Sequence, residues 1–229
     1  MHYSVQVRMN EKLFLRDPEQ SELGRRIIRQ GILLIHEVGF EETTFRKLAD
    51  RIGTKEASIY RYFENKHRLL VYLVAWYWQW LDFQVIFETN NLTDTREKLE
   101  RVLRILLHYS MTNAATPEEI ALPALHSIVI CEASKAYLTH HVSEDNRQHL
   151  FKPYKDLTAN LGKLILDYNP TYRFAHSMAS SLIETAHSQS FFMRYLPSLT
   201  DFGHSESPSP LLEFLRHLLF SSLNASPQP

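Results

Sequence analysis

The side chains best suited to chemistry lie between residues 39 and 66, in the run GFEETTFRKLADRIGTKEASIYRYFENK. Most are hydrogen-bond donors: Thr44, Arg46, Lys55, Ser58, Tyr60, Arg61, Tyr62 and Lys66. Such donors satisfy phosphate oxygens, and Arg or Glu can in addition address the edges of particular bases. Small side chains at Ala57 and Ser58 let whatever carries them approach a base edge closely. The chemistry on offer is recognition of double-stranded DNA.

Apolar spacing says which elements hold these donors. Phe45, Leu48, Ala49 and Ile52 fall at i, i+3, i+4 and i+7, the buried stripe of a short helix that Gly53 ends. Ile59 and Phe63, four apart, mark the inward face of a second short helix, with Ala57, Ser58 and Arg61 opposite. Two such helices joined at a glycine make a helix-turn-helix, whose second helix lies in the major groove. Periodicity alone leaves another reading open, two core helices whose polar faces are merely solvated.

The string Gly39-Phe40, Thr43-Thr44, Leu48-Ala49, Ile52-Gly53 and Ser58-Ile59-Tyr60-Arg61-Tyr62-Phe63 with Lys66 closely resembles the DNA-binding domain of the tetracycline-repressor (TetR) family of bacterial transcriptional regulators. The resemblance implies that Thr44, Tyr62 and Lys66 meet the DNA backbone and set register. Base reading then falls to the first turns of the second helix and to the helix before it. Arg46 can take guanine, Glu56 can accept from cytosine, and Ala57 or Tyr60 can meet a thymine methyl. The frequent Ser-Lys-Gly opening of the family's recognition helix is replaced here by Lys55-Glu56-Ala57, so the bases read do not transfer.

Bulk properties fit an ordinary globular chain. With 229 residues, 44% hydrophobic and 22% charged, it can bury a core, and only 6 Gly with few alternating runs points to an all-α protein. Residues 1–68 carry 13 Lys+Arg against 10 Asp+Glu, so the basic excess sits with the helix-turn-helix although the whole chain is at −1. The single cysteine, Cys131, excludes an intrachain disulfide or a multi-cysteine zinc site and fits a reducing cytoplasm. No signal peptide is visible at the start. Residues 69–87 imitate a membrane span, but Gln79, Asp82 and Gln84 interrupt it, and a long buried helix is the expectation.

In order, residues 1–18 form an arm or hairpin. Tyr3, Val5, Val7 and Met9 alternate with polar residues, which suggests a short β-hairpin; a loose arm or a basic arm in the minor groove are the alternatives. The helix-turn-helix head spans residues 19–66. Its first helix, residues 18–38, buries Leu23, Ile27, Ile28, Leu34, Ile35 and Val38, and Gly39 ends it. Thr43 or Thr44 caps the next helix, and Asn65 caps the aromatic helix that follows. A regulatory and dimerisation domain occupies residues 67–225. Its helices include one opened by Asp94 with Glu97, a start at Thr116-Pro117, an apolar segment at residues 125–133, and helices over residues 143–168, 171–195 and 211–223. The total is about nine or ten helices.

The resemblance further implies a homodimer on a palindromic operator, joined through the last two long helices. Ser181, Thr185, Ser188, Leu212, Leu215 and Leu219 are the interface candidates. It also implies a small-molecule effector of unknown identity in the C-terminal domain, and repression as the commonest mode. Trp76, Trp80, Phe83, His108, His126 and Cys131 are pocket candidates, with plain core as the competing role. No cofactor, metal or membrane is called for. Two rivals remain: an interaction protein that kept the head but lost DNA binding, suggested by Glu56, and a metal- or histidine-dependent enzyme. The enzyme would draw on His140, His141 and Glu144 or on His126 with Cys131, but neither set has ligand spacing, and no Gly-rich phosphate loop, nucleophile elbow or HExxH occurs.

Overall fold

The computed structural model describes residues 9–107, 121–140, 142–203, 205 and 207–224. Among them the chain is helical, with no strand. The α-helices in order are α1 (Glu22–Glu42), α2 (Phe45–Ile52), α3 (Glu56–Tyr60), α4 (Lys66–Thr89), α5 (Thr95–Leu106), α6 (Leu122–Glu132), α7 (Ser134–Tyr137), α8 (Val142–Arg147), α9 (Lys152–Tyr168), α10 (Ala175–Tyr195) and α11 (Ser209–Asn224). The chain divides into two compact units that interleave in sequence: Met1–Gln79 with Ala115–Pro153, and Trp80–Ala114 with Tyr154–Pro229.

In the first unit the expected hairpin is replaced by two 3₁₀ turns. Asn10 caps Glu11–Leu13 and Asp17 caps Pro18–Gln20, each accepting from the N–H two residues on. These turns bend the backbone every few residues, which a strand does not tolerate; residues 3–8 of the proposed hairpin lie outside the described residues. Helix α1 therefore starts at Glu22 rather than Pro18, with the Ser21 hydroxyl accepting from the Gly24 N–H. A Cβ on Gly24 would stand 2.2 Å from the Pro18 carbonyl oxygen, so the preceding turn can lie on the helix only there. Ile27, Ile28, Ile32, Leu34 and Ile35 are buried along α1, whereas Val38 is exposed and Phe40 takes the inward place. Gly39, at φ 80° and ψ 162°, is non-helical and ends the regular helix as expected; a short further turn follows, capped by Thr43.

Helices α6, α7 and α8 belong to this unit too, and α6 packs on α1. The expected continuous helix over residues 143–168 is split because His149 adopts φ 59° and ends α8. The Leu150 N–H then reaches back to the Asp145 carbonyl at 3.1 Å, the closure typical of a left-handed helix end.

In the second unit α5 opens at Asp94, whose carboxylate accepts from the Arg96 N–H, and buries Leu99, Val102, Leu103 and Leu106. Helix α11 packs on α10 and on α5. The Asn169 side chain turns the chain by accepting from Thr171, which delays α10 to Ala175. No helix among the described residues is long and apolar enough to cross a membrane. Thr116 and Pro117 lie outside the described residues.

Candidate nucleic-acid interface

Helix α2 forms because its four apolar residues, Phe45, Leu48, Ala49 and Ile52, make one stripe and all are buried. Its cap is Thr44, whose hydroxyl accepts from the Lys47 N–H at 3.1 Å, while Thr43 is fully buried and donates to the Gly39 carbonyl. Gly53 ends it in the left-handed conformation, φ 73° and ψ 44°, with nothing within 4 Å of where a Cβ would stand. Backbone conformation, not space, therefore requires glycine there. Helix α3 follows from Lys55, fixed by fully buried Ile59 and Phe63 and by the edge of Tyr60 against the Phe45 ring at 5.0 Å.

This packing turns Arg46, Lys55, Glu56, Ala57, Tyr60 and Arg61 outward, with Thr44 also exposed and Ser58 half-buried. Arg46, Lys55 and Arg61 make no ion pair or side-chain hydrogen bond among the described residues. The nearest cations on the same helices behave otherwise. Arg51 grips Glu37 at 2.5 and 2.7 Å and Gln30 at 2.8 Å, which holds the Glu37 carboxyl below its usual range and the guanidinium above. Lys47 donates to the Glu42 carbonyl. With Glu37 and Glu42 engaged by their own partners, the exposed side of the two helices keeps three cations without an ion pair beside the acids Asp50 and Glu56.

Two expected backbone contacts are placed differently. Tyr62 is buried, 3% exposed, and its hydroxyl bonds to the Ser21 hydroxyl at 2.8 Å, so it is corrected from a surface donor to a brace between α1 and the end of α3. Lys66 is half-buried and donates to the Phe40 and Glu41 carbonyls at 3.1 and 2.8 Å, closing the carboxyl end of α1 beyond the Gly39 kink. Its ammonium also lies 4.7 Å from the Phe40 ring centre. One of its three N–H donors is left for a phosphate.

Sequence reasoning missed the group that holds this corner. Glu132, at the end of α6, accepts the Phe40 N–H at 3.1 Å, and Lys135 bridges Glu132 and Glu41 at 2.9 and 3.0 Å. The lysine lowers the Glu41 carboxyl and is itself raised. The available signal was Glu132, a lone acid closing an otherwise apolar helix.

The remaining candidates divide between the units. Trp76, His126 and Cys131 belong to the first, where the His126 ring stacks on Tyr77 and its Nδ1 pairs with the Tyr77 hydroxyl at 2.9 Å. Trp80 and Phe83 belong to the second, with Phe83 stacked on Phe87; His108 lies outside the described residues. On α10, Ser181 and Ser188 are exposed and Thr185 is half-buried. Leu212, Leu215 and Leu219 are buried inside the second unit, so as interface positions they are corrected: their stripe packs on the subunit's own core. Buried His187 on α10 is held neutral, its pKa driven down to about 4 by desolvation. Among the described residues no three of His, Cys, Asp and Glu are grouped to hold a metal ion; His141 lies outside them.

A short helix pair with an outward cationic face, followed by a helical body, defines a helix-turn-helix DNA-binding class of protein. Residues 27–73 match the profile of bacterial regulatory proteins, tetR family. It is 43% identical over 44 residues to the class A tetracycline repressor from transposon 1721 of Escherichia coli, 19% of this chain and 20% of that one. It is 31% identical over 91 residues to the nucleoid occlusion factor SlmA of Haemophilus influenzae (strain PittGG), 37% of this chain and 42% of that one. The matches thus span less than half of these relatives. Over most of its length the fold is similar to that of the fatty acid degradation regulator FadR from Bacillus halodurans, with TM-score 0.61, 18% identity, and 88% and 98% of the two chains covered. It is likewise similar to AibR in complex with isovaleryl coenzyme A and operator DNA, with TM-score 0.60, 15% identity, and 86% and 98% covered.

Proposed function

We propose that the protein is a DNA-binding transcriptional repressor that reads a palindromic operator as a homodimer and is released by a small molecule bound in its C-terminal domain. The observation that carries this reading is the trio Arg46, Lys55 and Arg61, exposed and without an acidic partner on the two helices of the helix-turn-helix. Cations without an acidic partner on an exposed face are what counterion release from DNA requires. Arg46 and Arg61 bind phosphate or guanine, Glu56 selects against phosphate and for cytosine, and Thr44 and Lys66 set register.

One head covers too few base pairs for specificity, so two must act together. The exposed Ser181 and Ser188 with Thr185 on α10 offer small side chains over which a second copy can pack closely. Effector release needs a ligand that prefers one of two head spacings, a coupling of roughly 1–3 kcal/mol. A regulator of similar fold seen with both isovaleryl coenzyme A and operator DNA supports such a two-ligand design.

The test is a footprint and gel shift on DNA flanking the protein's own coding sequence. Protection of a palindrome, lost with Arg46→Ala plus Arg61→Ala, is the expected result; no binding even at low salt overturns it. That negative result would favour a second reading, a helical interaction protein that keeps the head without DNA binding, for which exposed Glu56 in the first turn of α3 is the motivating observation.

A further inference from the structure

The segment ahead of α1 is tied to the head at several points. Leu13 is buried, Phe14 meets the Tyr72 ring edge-on at 6.2 Å, and Asn10 Nδ2 donates to the Gln148 carbonyl at 2.9 Å. The Leu15 N–H donates to the Tyr62 carbonyl at 2.7 Å, joining this strap to the residue just past the recognition helix. Arg16, next in the strap, is exposed, and its guanidinium carbon lies 5.5 Å from the centre of the Tyr62 ring. The adjacent acid does not neutralise it. One Asp17 oxygen accepts from the Glu19 N–H at 2.9 Å and the other from Gln20 Nε2 at 3.0 Å. Arg16 makes no ion pair among the described residues.

These contacts reverse the arrangement that the sequence suggests at this spot. The Tyr62 hydroxyl is turned inward to Ser21, its ring is covered, and the donor left at the surface is a guanidinium. We propose that Arg16 is a DNA-backbone contact, taking a phosphate oxygen of the duplex beside the recognition helix in the role expected of Tyr62. The guanidinium fork matches phosphate bidentately, and resting on an aromatic ring leaves it less rotamer freedom to lose on binding. The anchors at Leu13, Phe14 and Leu15 present it from a fixed backbone rather than a free arm. This assignment rests on the DNA-binding reading above.

The experiment is a salt titration of binding to a labelled operator duplex, and to an unrelated duplex, by the full chain and three variants. Arg16→Ala should weaken binding roughly tenfold per head at low salt. It should also reduce the slope of log affinity against log salt by about one per head, leaving the preference for operator unchanged. Arg16→Lys should keep the slope, and Tyr62→Phe should match wild type, since its hydroxyl faces Ser21. Thermal melting of each variant checks the fold, and should Arg16→Ala melt early its titration is run at a temperature well below its midpoint, where it is folded. A wild-type slope in Arg16→Ala, a flattened slope in Tyr62→Phe, or an altered sequence preference in Arg16→Ala each overturns the assignment. A wild-type protein that binds neither duplex removes instead the DNA-binding reading on which it rests.

Discussion

The outward face of the helix-turn-helix and the back of the same head are both rich in cations, yet they use them in opposite ways. Away from that face the cations are paired with acids: Arg68 with Asp145, Lys135 with Glu41 and Glu132, Arg51 with Glu37. On the face, Arg46, Lys55 and Arg61 have none among the described residues. A cation that already holds the fold together has little left to give a ligand, whereas one without a partner faces only water and is poised to exchange it for phosphate. Paired and unpaired cations on one small domain therefore separate residues of architecture from residues of recognition. Substitutions should sort the same way.

The largest effect on folding should come from the most enclosed pair. Asp145 is 2% exposed and Arg68 Nη1 lies 2.9 Å from its carboxylate. Arg68→Ala leaves that carboxylate buried and alone, at a cost of about 3 kcal/mol, read as a lower urea midpoint. Replacing both partners by apolar residues, Arg68→Met with Asp145→Leu, should restore most of the loss, because the penalty lies in the orphaned charge. A midpoint unchanged in Arg68→Ala would break the division between the two regions at its strongest point.

On the face the prediction inverts. Arg46→Ala with Arg61→Ala should leave the urea midpoint at the wild-type value while weakening operator binding about a hundredfold per head, from two charged contacts of roughly 1.5 kcal/mol each. Loss of stability instead would show that these guanidiniums hold structure that the exposed geometry does not reveal.

Much of this division was legible in local spacing. Phe45, Leu48, Ala49 and Ile52 declare α2, Gly53 its end, and Ile59 with Phe63 the inward side of α3, because each of these relations spans less than two turns. What escaped depends on distant partners. Tyr62 looks like a surface donor until Ser21, 41 positions upstream, is placed beside it. The α11 leucines announce burial but not against what, and their own subunit covers them. The break at His149 escaped because histidine, though enriched in the left-handed region, adopts it too rarely for the residue type alone to mark a helix end. The strap at residues 9–20 misled for a similar reason: alternation suits a strand, but the caps at Asn10 and Asp17 set turns.

A smaller effect tests the corner where α6 meets α1. Glu132→Ala removes the acceptor of the Phe40 N–H, for a loss of about 1 kcal/mol, and should speed hydrogen exchange at the Phe40 amide before amides elsewhere in α1 respond. Acid should loosen the neighbouring bridge in a defined direction. Glu41 is held below the usual carboxylate value by Lys135, so its contribution is fully present above about pH 4.5 and is lost as pH falls through the lowered folded value. An exchange rate at Phe40 indifferent to both changes would mean that α6 touches α1 without steadying it.

The smallest effect belongs to the pair that looks strongest on distance alone. Arg51 grips both oxygens of Glu37 at 2.5 and 2.7 Å, but the Glu37 side chain is half exposed, and water and salt compete for the same charges. Arg51→Ala should therefore leave the urea midpoint within error of wild type and leave operator affinity unchanged, because this cation faces an acid rather than DNA. Its value is as a control that carries the same charge change as Arg61→Ala on a neighbouring helix. If Arg51→Ala flattened the salt dependence of DNA binding as much as Arg61→Ala does, net charge rather than placed donors would govern affinity, and the distinction between paired and unpaired cations would lose its functional meaning.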